Sequence, residues 1–127
     1  MKLQSLNKEY DKLQKMYGDP SLHSIYNGGC EENPDICFVF MNPTGRNIAS
    51  LPGWPGPYHP WLGTKNIWDL FYAVNLIDEK IYNVIKSIKG SEWTPEFCNE
   101  VYQDITKHKV FITNLAFGPL SKISPTT

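Results

Sequence analysis

With 127 residues, 41% of them hydrophobic, the chain is sized for one domain with a real core. Lysine and arginine total 12 against 13 acids, a formal charge of −1 that excludes a protein gripping nucleic acid by bulk charge, while leaving room for base chemistry in one pocket. Met1-Lys2-Leu3-Gln4 lacks the apolar core of a signal peptide and no run approaches membrane-spanning length, so the expectation is a soluble cytoplasmic protein with no membrane partner.

Leu3, Leu6, Tyr10, Leu13 and Met16 fall at helical spacing over Leu3 to Tyr17, with Gly18 as the stop, and predict a helix packing one stripe on a sheet. Asp19 to Pro34 is rich in Gly, Ser, Asn and Pro, so it reads as an irregular lead-in in which Gly28-Gly29 is a turn. Ile36-Cys37-Phe38-Val39-Phe40-Met41 is an apolar run that halts at Asn42-Pro43, the pattern of a fully buried strand emptying into a loop. Pro43 biases Asn42 away from the helical region, which places that side chain at the strand's carboxyl end, where ligands bind in open α/β sheets.

Pro43 to Thr64 holds five of the ten prolines and four of the nine glycines. Loops this long tend to be functional, and its prolines predict a shaped wall instead of a floppy one. Trp54, Tyr58 and Trp61 ride on that wall, with Trp54 and Tyr58 weighted toward covering the core's edge. Thr64 or Asn66 can cap a helix from Asn66 to Leu76 with Ile67, Leu70, Phe71, Val74 and Ile77 as its core stripe and Trp68 in the core. A second helix, Asp78 to Lys89, turns Ile81, Val84 or Ile85, and Ile88 inward and ends at Gly90. Thr94-Pro95-Glu96 combines a hydroxyl cap, a first-turn proline and an acid, and starts a helix running to about Lys107.

Lys109 to Ala116 is a second apolar strand with Thr113 and Asn114 near its carboxyl end. Two strands joined through helices predict a parallel arrangement with a right-handed crossover. If the strands are neighbours, Asn42 and Asn114 converge beside the aromatic loop. A side-chain amide offers both donor and acceptor, the complement of a nucleobase edge. Cys30, Cys37 and Cys98 match no zinc or disulfide framework and read as reduced, mostly structural thiols; His23, His59 and His108 show no ligand spacing, so no metal is expected.

Three elements together resemble the uracil-DNA glycosylase superfamily. Val39-Phe40-Met41-Asn42-Pro43-Thr44 is similar to the G-x-N-P-G first motif of its mismatch-specific members, with Phe40 and Thr44 replacing the glycines. Pro60-Trp61-Leu62-Gly63 resembles the P-F-x-G element of its thermophilic branch, and Ile112-Thr113-Asn114-Leu115 the strand whose asparagine reads the uracil edge. The resemblance implies a three-layer α/β/α fold with a parallel sheet, and hydrolysis of the N-glycosidic bond of a flipped uracil in DNA. In it Asn42 positions the attacking water, Trp61 stacks on the base, Asn114 bonds its Watson–Crick edge, and Met41 and Pro43 line the pocket. Arg46, the chain's single arginine, and Asn47 are the expected phosphate contacts.

Gly56-Pro57-Tyr58-His59-Pro60 echoes the P-Y-H of another branch but follows Asn42-Pro43 and lacks the preceding aspartate, so it is read as coincidence. The thermophilic branch's four-cysteine iron-sulfur pattern is not reproduced, so no cofactor is expected. The family also continues past the asparagine strand to an H-P-S motif, whereas residues 117–127 form a Gly, Pro, Ser and Thr-rich tail. The expectation is a domain over 1–116 that is incomplete at its carboxyl end, leaving an open sheet edge and exposed apolar helix faces. The expected partner is uracil-containing DNA, at the nucleoid, bound by a monomer. The alternatives are a non-catalytic nucleobase-binding module and an inactive fragment.

Overall fold

The computed structural model describes residues 6–41 and 47–115. They form a small α/β domain in the order α1 (Asn7–Tyr17), β1 (Gly28–Gly29), β2 (Ile36–Phe40), α2 (Asn66–Ala73), α3 (Glu79–Ser87), α4 (Pro95–Lys107) and β3 (Val110–Asn114), with short 3-10 turns at Ile48–Ser50 and Gly90–Glu92. The beginning of the expected first helix, at Leu3, and the tail 117–127 lie outside the described residues.

The sheet runs β1-β3-β2. β2 lies parallel to β3, with Phe38 opposite Ile112 and Phe40 opposite Asn114. That pairing is the expected one, but the all-parallel sheet needs correcting, because β1 joins β3 antiparallel. Gly28-Gly29 is therefore a strand and not a turn. Gly29 sits at φ +96°, and a Cβ there would stand 2.2 Å from the carbonyl oxygen of Val110, so only glycine lets this strand lie so close to β3.

β3 is the central strand, and α4 lies across it and β1, burying Val101, Ile105 and Cys98 against Val110 and Ile112. Burial pushes the Cys98 thiol up to about 12, in keeping with a small apolar role. Trp68 and Phe71 of α2 fill the same core, with Phe71 at 4.8 Å from Phe38, and Ile85 of α3 closes it. The helix α4 begins as its sequence signals, Thr94 accepting a hydrogen bond from the Phe97 N–H with Pro95 in the first turn.

Three expected packings are corrected. Leu70 and Val74 are exposed, because the short α2 turns Trp68 and Phe71 inward and stops at Ala73; in α3 Ile85 is buried and Val84 is not. The helix α1 does not lie on the sheet: its Asp11 accepts from Ser24 Oγ at 2.6 Å and from Tyr26 OH at 2.9 Å, which docks it on the Ser24–Tyr26 segment. Finally, among the described residues β2 stands at the edge of the sheet and is not fully buried. Phe38 and Phe40 face the core and are half-buried, while Cys37 is exposed and Val39 is 54% exposed on the opposite face. An apolar run alone does not distinguish a central strand from an edge strand whose outer side lacks a neighbour.

Candidate functional site

The two strands deliver their carboxyl ends to one corner. Phe40 and Asn114 stand opposite each other in the register, and the Leu115 N–H donates to the Phe40 carbonyl at 2.8 Å, which carries the pairing past β3. Side chains alternate along a strand, so Asn114 emerges on the face shared by Phe40 and Ile112. Asn114 is half-buried, and its carboxamide has no hydrogen bond to any described residue. Thr113, on the other face, is committed by contrast, its hydroxyl donating to Asn27 Oδ1 at 2.6 Å.

The loop brings Trp61 to the same corner. Its ring meets Phe40 edge-on, centroids 4.9 Å apart at 73°. The backbone at Trp61 is left-handed, φ +65°, an unusual state for a bulky residue that the surroundings must hold in place. They do so from both sides. The Tyr102 hydroxyl of α4 donates to the Pro60 carbonyl, Thr64 Oγ1 donates to the Trp61 carbonyl at 2.8 Å, and the Ile48 N–H donates to the Leu62 carbonyl at 3.1 Å. The Trp61 indole N–H is buried without a hydrogen-bond partner among the described residues, a trait it shares with Trp68 and Trp93 of the core, so by itself it does not signal a ligand.

Asn42, Pro43 and Arg46 lie outside the described residues. Met41, directly after β2, is 73% exposed and borders the corner. Asn47 is a correction to the expected phosphate contact: it is only 5% exposed, its Oδ1 accepts from the Ala49 N–H at 3.0 Å, and its Nδ2 donates to the His59 carbonyl at 3.1 Å. Both ends of the carboxamide hold the loop inside the fold, which takes the side chain away from the surface where a phosphate would be met. Trp54 and Tyr58 cover the core's edge, the Trp54 indole N–H bonding the Pro57 carbonyl at 2.9 Å and Tyr58 stacking on His23 at 3.6 Å.

Comparisons with protein-family models, with curated proteins and with solved structures return no match to this chain. What the corner can do is therefore a matter of its own chemistry. Phe40 and Trp61 supply aromatic surface and Asn114 supplies a donor and an acceptor, a set suited to a flat ligand with a polar edge. None of the three ionises, so they bind and orient but do not transfer protons.

His59, to which the sequence assigns no role, and Tyr102 hold this corner from behind. His59 stacks on Tyr102 at 4.3 Å, with Nδ1 at 3.1 Å from the Asn27 carbonyl, and burial lowers its pKa, so it is a neutral packing group. A Tyr-His pair fenced by prolines could have suggested a packed corner. Asp78, Asp104 and His108 also come together, their ligand-type atoms within 4.8 Å of one another. The Lys107 ammonium already sits there, 2.7 Å from Asp78 Oδ2 and 3.6 Å from Asp104 Oδ1. The Lys107 hydrogen bond lowers the Asp78 pKa while burial raises that of Asp104. The group is best described as an ionic clasp between the start of α3 and the end of α4. A groove of about 390 Å³ between α1 and Ser50–Trp54 contains none of the expected site residues.

Proposed function

We propose that the chain is a uracil-DNA glycosylase-like protein that receives a flipped uracil at the corner between the β2 and β3 exits, with hydrolysis of the N-glycosidic bond as the family's reaction. The observation carrying this reading is the convergence of Phe40, Trp61 and Asn114, from three separate parts of the chain, on one strand-exit corner. Trp61 offers a face on which the base stacks, and Asn114 an amide complementary to the uracil edge. Stacking and edge contacts offset the few kcal/mol needed to take a base out of the helix. Asn42, which directly follows Met41, would orient the attacking water. An amide is no strong base, so the rate would depend on donors that stabilise the departing uracil anion and the positive charge building on the sugar.

A second reading, a nucleobase-binding module without turnover, is favoured by the absence of any ionisable group among the three residues that converge. One experiment separates the two. Uracil release from single-stranded and mispaired oligonucleotides is measured for the parent, Asn42→Ala and Trp61→Ala, alongside uracil binding by calorimetry. The glycosylase reading expects release by the parent and none by Asn42→Ala. Base stacking contributes about 1–3 kcal/mol, so Trp61→Ala should weaken uracil binding roughly 5- to 150-fold. Binding without release supports the module, and neither binding nor release overturns both.

A further inference from the structure

We propose that the cavity beside α4, between His59 and the turn that carries Asn99 and Gln103, is a second ligand site and takes a cyclic imide, a flat ring whose N–H is flanked by two carbonyls. The cavity holds about 300 Å³, within the size class of small-molecule clefts, and is lined by Gly29, His59, Asn99, Tyr102, Gln103 and Thr106. It shares no residue with the corner formed by Phe40, Trp61 and Asn114. Charged residues make up 20% of the chain, yet among the described residues no lysine, arginine or acid lines this cavity, so it favours an uncharged ligand.

The polar atoms it has to offer follow by elimination. The Tyr102 hydroxyl donates to the Pro60 carbonyl and the Thr106 hydroxyl to the Tyr102 carbonyl at 2.7 Å, so both donors are spent inside the fold. His59 Nδ1 lies 3.1 Å from the Asn27 carbonyl. A carbonyl only accepts, so Nδ1 carries the proton, and in the neutral ring that burial favours Nε2 is left with a lone pair. Nε2 has no hydrogen bond to any described residue and is not one of their buried orphaned atoms, so it stands open to the cavity. The ring is not free to turn that lone pair away. It stacks on Tyr102 at 4.3 Å, and the stack sits so close to β1 that a Cβ at Gly28 would run into the Tyr102 ring and come within 3.0 Å of His59 Nδ1. Asn99 and Gln103 are neighbours one turn apart on α4; both are exposed, and their carboxamides have no partner among the described residues.

Three groups remain, one fixed acceptor and two amides that can give or take. The fixed acceptor decides the ligand, which must bring an N–H or O–H to His59 Nε2. An alcohol or a simple amide meets that need and leaves a carboxamide idle. A cyclic imide brings a donor at its centre and a carbonyl on each side, to which Asn99 and Gln103 donate, so one flat, uncharged molecule satisfies all three. The pairing edge of uracil and thymine has this acceptor–donor–acceptor order, which makes such a base the natural occupant. The inference stands apart from the glycosylase reading, since it uses neither Trp61 nor Asn114.

The test uses succinimide, a minimal ring of this class, and N-methylsuccinimide, which keeps both carbonyls but has no N–H. Each is titrated into the full chain while heteronuclear NMR follows the side-chain amides of Asn99, Gln103 and Asn114 and the imidazole nitrogens of His59. Succinimide should shift the Asn99 and Gln103 amides together with His59 Nε2, and N-methylsuccinimide should leave all three unmoved. Asn99→Ala and Gln103→Ala, both at exposed positions, should each weaken succinimide binding about 2- to 10-fold, the loss of one hydrogen bond, with unchanged helical circular dichroism. Equal shifts from the methylated ring overturn the proposal, because the donor to Nε2 is then irrelevant. Shifts confined to Asn114 overturn it as well, by seating the imide at the strand-exit corner in support of the function proposed there. Unmoved signals at His59, Asn99 and Gln103 up to the solubility limit of succinimide also overturn it, and because Asn114 is read in the same spectra, failure at this cavity and failure at the corner are told apart.

Discussion

At the scale of single residues, the corner depends on groups that never meet a ligand. Trp61 keeps its left-handed backbone because Tyr102, Thr64 and Asn47 fasten the loop around it, and Tyr102 in turn packs on His59. His59 is the one support with a pH signature. Burial lowers its folded pKa below the unfolded value near 6.5, so the unfolded chain binds the proton more readily. Its contribution to stability is therefore full above about pH 6.5 and is lost as the pH falls toward the folded pKa. Denaturant unfolding of the parent should weaken between pH 6.5 and 5.5, by at most about 1.4 kcal/mol per pH unit from this group. The variant His59→Asn keeps a donor for the Asn27 carbonyl but cannot titrate, so its profile should be flatter over that range. Equal slopes for the two proteins would mean that His59 is not held neutral.

At the scale of elements, what could be read in advance follows a physical division. The helix α4 was legible because its start is local: Thr94, Pro95 and Glu96 settle it with no help from the rest of the chain. The parallel run of β2 and β3 followed from strands alternating with helices, whereas their adjacency, and with it the register that sets Phe40 opposite Asn114, came only with the fold. The edge position of β2 did not follow from the sequence either, because Ile36 to Phe40 reads the same whether a strand lies on one side or both. Nor did β1, since two glycines carry no side-chain pattern and their pairing is set by a contact with Val110, 81 positions along the chain. Asn47 was misjudged for a similar reason: nothing beside it in sequence announces that His59 will take its amide. The role of Gly29 gives the element-scale prediction. Gly29→Ala must change its positive φ or displace the Val110 carbonyl, and L residues lose about 1–2 kcal/mol in left-handed conformations before any steric cost. Thermal unfolding should show Gly29→Ala destabilised by at least about 2 kcal/mol, whereas Gly53→Ala, with open space at its Cβ position, should lose only the cost of its own positive φ.

At the scale of the whole molecule, the charge balance constrains how the proposed glycosylase would meet DNA. Proteins that neutralise many phosphates lose affinity steeply with salt, log K falling by about 0.9 per phosphate contact on duplex DNA and about 0.7 on single strands. This chain has 12 basic against 13 acidic residues and a single arginine, at position 46. Lys107, a candidate for surface charge, is held by Asp78, and Lys86 by Asp69 at 3.0 Å, so part of the basic inventory is already paired. Recognition would then rest on Trp61 and Asn114 holding one extruded base, with few phosphate contacts to assist. Binding of a uracil-containing single strand should accordingly show a log–log salt slope of magnitude about 1–2, and Arg46→Gln should reduce it by about 0.7. Trp61→Ala should lower affinity at every salt concentration while leaving the slope unchanged, because stacking releases no counterions. A steep slope in the parent, near that of a protein with six or more phosphate contacts, would show that binding is governed by charge and not by the aromatic corner.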